Sequence, residues 1–171
     1  FRRWSLRSRL PEHGRKAPRH GADADMPSSP VSFKSPLPPE DLRFEAVTAT
    51  QGVSALDTIE LELLSARPDI AAEKLLGQPV GVAIALGAGG QRHLNGLVTR
   101  LGIGRAQGRW FRYHASVRPW LWALTRTADC RIFQDQNVRQ IIETVFADHA
   151  AIADFRFKLH KSYRTRTYCV Q

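Results

Sequence analysis

The sequence predicts an α+β chain that is mainly β, with antiparallel strands, short helical turns and one amphipathic helix. Three observations carry this. Residues 57–65, DTIELELLS, alternate cleanly, with Ile59, Leu61 and Leu63 on one face and Thr58, Glu60 and Glu62 on the other; a strand buried on one side requires that period. Residues 109–117, RWFRYHASV, repeat it, with Phe111, Tyr113, Ala115 and Val117 opposite Trp110, Arg112, His114 and Ser116. From Asn137 onward the period lengthens to that of a helix. Val138, Ile141, Ile142, Val145 and Phe146 form one helix core face, and Asn137 with Gln140 has the spacing of a capping box.

The remaining elements follow in order. Residues 42–50, LRFEAVTAT, read as a strand with Leu42, Phe44 and Ala46 inward and Arg43 and Glu45 outward. Residues 68–76 make one or two helical turns that Gly77 closes, with Pro79 beyond. Residues 80–86 and 92–104 read as a hairpin around GAGGQ. That glycine run lies between two strands rather than before a helix, which argues against a phosphate cradle. Pro119 opens a short helical turn holding Trp120 and Trp122, and residues 130–134, CRIFQ, read as a strand. Residues 154–159, DFRFKL, alternate as a further strand.

The 171 residues carry 25 Lys and Arg against 16 Asp and Glu, a formal charge of +9. Residues 1–25 hold seven of the basic residues and three acids, so almost half of that excess lies there. This segment has no marked periodicity. It is expected to be disordered or a spurious extension upstream of Met26, the single methionine. A Pro/Ser-rich lead then spans residues 26–41. The apolar runs are too short to span a bilayer, and arginines break up the hydrophobes of FRRWSLRSRL, so no signal peptide is expected. The default location is the cytoplasm.

Chemistry-bearing constellations are weak throughout. Cys130 and Cys169 are far apart with no CxxC pairing, and are expected to be reduced, buried small hydrophobes. His93, His114 and His160 lie on separate segments, Asp148 and His149 end the helix, and Glu60 with Glu62 matches an ordinary solvated face. The expectation is a non-enzyme with no catalytic, cofactor-binding or metal-ligating residue and no cofactor. Arg109, Trp110 and Arg112 with the basic arm could stack and neutralise a nucleic acid; an intersubunit contact rich in Trp and Arg is the more common use of such a strand.

A series of motifs runs in order through the chain: SPLPPEDLRF, LELLS, LLGQPV, NGLVTRL, YHASVRPWLWALTRTADCRIFQ, VRQIIETVF and YCVQ. It resembles the N-terminal region of VgrG, the spike protein of type VI secretion systems, which is related to the tailed-phage baseplate hub. Residues 1–25 have no counterpart in the resemblance. It implies a tube-like antiparallel β-barrel over residues 42–134 and the start of a helix-containing insertion over residues 135–171, incomplete at the C-terminus. It also implies a homotrimer docked on the hexameric Hcp tube, with a PAAR tip protein and effectors engaged through later parts of the protein, and neither a small-molecule ligand nor a specific nucleic acid. Such a protein is cytoplasmic before firing and then leaves through the secretion apparatus. Trp110, Trp120, Trp122 and Phe133 are the candidate residues for packing or for the trimer interface, and the sequence does not divide them between those roles. A phage baseplate hub and a nucleic-acid-binding β-domain are the alternatives.

Overall fold

A computed structural model of the chain describes residues 2–7, 30–86 and 89–171. The chain divides into two compact units, Phe1–Pro119 and Trp120–Gln171. That division falls between Pro119 and Trp120, whereas the sequence expectation carries the first domain on to Gln134.

The first unit is one antiparallel sheet. Its strands are β1 (Arg2–Arg7), β2 (Val31–Lys34), β3 (Arg43–Gln51), β4 (Thr58–Ser65), β5 (Pro79–Ala85), β6 (Gln91–Gln107) and β7 (Trp110–Arg118). They are arranged in the order β1-β3-β4-β7-β6-β5-β2. The predicted alternations fix which side each strand buries. Ile59, Leu61 and Leu63 of β4 meet Tyr113, Ala115 and Val117 of β7 in one core, joined by Val80, Val82 and Ile84 of β5. Trp4 and Leu6 from one edge, and Val31 and Phe33 from the other, pack on that same core. Because both edges turn toward one cluster, the sheet is curled into half a barrel. Tyr113 is buried, but its hydroxyl donates to the Arg67 carbonyl (3.0 Å) and accepts from the Ile70 amide (3.3 Å), tying the loop after β4 to the sheet. A 3₁₀ turn, Ala72–Lys74, then delivers Leu75 into the core, and Gly77 takes the left-handed φ of 74° that ends it.

Several expectations are corrected here. Residues 2–7 are not disordered: they form β1, with Trp4 opposite Ala49 and Leu6 opposite Val47. The alternation of Trp4 and Leu6 with Arg3, Ser5 and Arg7 is too short to stand out within so basic a segment. The rest of the expected extension, residues 8–25, lies outside the described residues. The Pro/Ser-rich lead contains β2, which pairs with β5. In β3 the register with β4 shifts between Phe44 and Ala46. Glu45 is the extra residue of this bulge, so the core positions become Val47 and Ala49 while Ala46 moves to the other face.

The second unit contains a 3₁₀ helix, Trp120–Arg126, then β8 (Ile132–Gln136), α1 (Val138–Ala147) and β9 (Arg166–Val170), with β8 and β9 antiparallel. The capping box forms as the residues predict: the Gln140 amide donates to the Asn137 side chain (3.1 Å), and the Asn137 amide to the Gln140 side chain (2.9 Å). The helix stripe is only partly covered. Ile141, Ile142, Val145 and Phe146 are half-buried and Val138 is exposed. The strand expected over residues 154–159 does not form. Its alternating Phe155 and Phe157 instead join an aromatic cluster, which satisfies the apolar side chains without a ladder partner. Both cysteines are free, and Cys130 is exposed rather than buried.

Candidate assembly interface

The face of the sheet turned away from the core carries alternate residues of β3, β4 and β7. In the centre Glu62 lies between two arginines, Arg7 at 3.1 Å and Arg112 at 3.5 Å. Beside it the Ser116 hydroxyl donates to Glu60 (2.7 Å). The two glutamates are thus held in a polar row and not poised as an acid–base pair. Trp110 lies farther along this face, and the guanidinium carbons of Arg43 and Arg109 each stand 5.0 Å from its ring centroid. Leu64, which pairs with Arg43 on one side and Arg112 on the other, is buried at 4% exposure on this outer face. The two guanidiniums already engage the ring that a stacked base would need.

The second unit places the other candidate aromatics. Trp120 meets Phe146 edge-on at 4.7 Å and Phe155 at 6.0 Å, and its indole N–H donates to the Asp154 carbonyl (2.6 Å). Such pairing satisfies the ring and its polar tip together. Trp122 has a different partner, the Arg126 guanidinium at 5.6 Å. Phe133 is buried at 6% exposure opposite Cys169. On the other side of this ribbon Ile132 and Val170 are register partners, exposed at 68% and 65%, with Tyr168 exposed beside them. Sequence reasoning missed that apolar side. Its signal is the adjacent pair Ile132 and Phe133, which gives β8 an apolar residue on both faces.

A cleft of about 390 Å³ in this unit is lined in part by Asp129, Arg131, Asp148 and His149. Arg131 bonds both Asp129 and Asp148. Its guanidinium, and then the Cys130 amide (2.8 Å), hold the Asp129 carboxyl below its ordinary range. The arginine is therefore consumed by structural ion pairs. Among the described residues no three His, Cys, Asp or Glu side chains are grouped to hold a metal ion. No helix among the described residues is long and apolar enough to cross a membrane.

A curled antiparallel sheet followed by a capped helix and ribbon defines a structural β-module of hub type. The phage tail baseplate hub (GPD) family matches residues 50–171, and the chain belongs to that family. VgrG1c of Pseudomonas aeruginosa, a type VI secretion system spike protein, is 43% identical over 141 residues, covering 82% of this chain and 19% of its own length. VgrG1b of the same organism is 42% identical over the same shares. The chain thus spans about a fifth of these relatives. Among solved structures, the E. coli c3393 protein matches with a TM-score of 0.58 at 27% identity, over 77% of this chain and 33% of that one. It is described as a component of the type VI secretion system with structural similarity to the T4 bacteriophage tail proteins gp27 and gp5. The likeness to VgrG carried by the sequence motifs is borne out.

Proposed function

We propose that this chain is the hub part of a longer type VI secretion spike polypeptide, a structural element that trimerises and docks on the Hcp tube. The observation that carries this reading is the half-barrel sheet within a chain 43% identical to VgrG1c over 82% of its length. A half-barrel leaves sheet edges that neighbouring subunits can cover, and a closed ring of copies does so symmetrically. In this reading Trp110 and its arginines face a neighbouring subunit, and the exposed side of the β8–β9 ribbon is covered on assembly. Trp120 and Phe133 serve internal packing, and Trp122 is the tryptophan left for an intersubunit contact. Membrane puncture, the PAAR tip and effector delivery belong to the remainder of the spike. The protein waits in the cytoplasm and leaves through the apparatus.

The family match favours a second reading, a hub of a tailed-phage baseplate. The two readings share the fold and differ in genetic surroundings. Reading the coding sequence in frame past the Gln171 codon, with its neighbouring genes, tests both. Continuation into further β-structure beside genes for a tube and a contractile sheath, with no capsid genes, supports the proposal, and neighbouring capsid genes support the phage reading. An immediate stop codon contradicts a working spike.

A further inference from the structure

The strand Arg2–Arg7 lies at the sheet edge, where β3 is its ladder neighbour. It pairs antiparallel with β3 over six register positions, from Arg2 opposite Gln51 to Arg7 opposite Ala46. Its inward side chains, Trp4 and Leu6, are half-buried against Ala49 and Val47, themselves fully buried. On the opposite face Arg7 reaches Glu62 at 3.1 Å while its own side chain stays 64% exposed. The Trp4 ring is covered by the Arg92 guanidinium at 4.7 Å. The 22 residues 8–29 connect it to the rest of the sheet. Main-chain pairing to an edge with alternate side chains entering pockets is how sheets accept extended peptides.

The geometry points to the β3 edge as a strand-acceptor site that the chain fills with its own residues 2–7 and that an extended peptide in trans can take. The peptide it fits has apolar residues two apart, matching Trp4 and Leu6. It also has a basic residue next to the second of these, placed to meet Glu62. The strand in place acts as an autoinhibitory cover. A strand of the same chain has the advantage over a free peptide of equal fit, so a competitor gains access when that covalent link is cut or when the competitor is itself held nearby. This inference stands on the β1–β3 pairing and not on the secretion reading.

The test uses the full chain with a site-specific protease sequence inserted between Gly21 and Ala22, and a dye-labelled peptide, FRRWSLRSRL. After cutting, the peptide is expected to bind saturably and at least tenfold more tightly than to uncut chain. Changing its sixth residue to Asp should abolish binding, and Glu62→Ala in the chain should weaken it about two- to fivefold, the range of an exposed ion pair. If cutting unfolds the sheet, recovery of the β circular dichroism on adding peptide supports the site, and failure to recover overturns it. A cut chain that stays folded, loses its fragment and binds no peptide overturns the inference. So does a fragment that neither leaves nor exchanges with excess peptide.

Discussion

The rings of Phe33 and Phe44 lie 6.5 Å apart, tilted by 37°, although four strands of the sheet separate β2 from β3. That approach is possible because the sheet curls, and it closes over the core from the side opposite β4. Phe33→Ala is therefore expected to cost roughly 1–3 kcal/mol, below the roughly 3–5 of a fully buried Phe. Urea unfolding of the whole chain measures it. A loss near zero would mean that β2 does not pack across the curl.

Two glycines in neighbouring strands make opposite predictions. A Cβ at Gly96 would press on the Arg118 carbonyl oxygen and stand 2.8 Å from Val117 Cγ1 and 2.9 Å from the Arg118 carbonyl carbon, and that backbone is held in the β6–β7 ladder. A Cβ at Gly81 meets only the Asn95 side-chain amide at such short range, at 2.7 Å, and that group can rotate away. Gly96→Ala should cost about 2 kcal/mol or more, and Gly81→Ala should stay within about 1 kcal/mol of the parent. Paired denaturation curves distinguish them; equal losses would sink the argument.

The two neighbouring tryptophans should also separate. Trp120 holds Phe146, Phe155 and the Asp154 carbonyl, so Trp120→Ala should destabilise the second unit by about 2 kcal/mol or more. Trp122 stacks with Arg126, and Trp122→Ala should cost the isolated chain under about 1 kcal/mol. Near-ultraviolet circular dichroism during unfolding reports both. The reverse ranking would assign the packing role to the wrong ring.

Acid should weaken the second unit through Asp129. Its carboxyl is held below the ordinary 3.8 by the Arg131 guanidinium and the Cys130 amide. A carboxyl whose pKa falls on folding contributes stability that is complete above its unfolded value, and that contribution is lost as pH drops through the folded one. The urea midpoint should therefore be flat from neutral pH to about 5 and decline below about 4. The decline should be shallow, because the Asp129 side chain is 49% exposed. In Asp129→Asn that part of the decline should disappear, and an unchanged acid limb would argue against the assignment.

The sequence alone carried the strands that bury one face cleanly. Ile59, Leu61 and Leu63, and equally Tyr113, Ala115 and Val117, alternate because neighbouring strands cover them on a single side. The capping box was equally legible, since Asn137 and Gln140 act locally. What stayed hidden depends on distant partners. β1 and β2 are short edge strands whose pairing with β3 and β5 leaves little mark on their own composition. The bulge at Glu45 reverses a face with no local signal. Phe155 and Phe157 alternate as a strand would, yet their partners are rings and not a ladder. The candidate interface was visible as residue types, and its arrangement, with Trp110 held by Arg43 and Arg109, needed the fold.

The most direct test of the proposed role is the mass of the spike polypeptide containing this chain, measured by light scattering at micromolar concentration. The hub reading predicts three copies per particle, with Trp110→Asp shifting the mass toward a single copy while the circular dichroism of the sheet persists. A folded particle of one copy in the parent protein would contradict it.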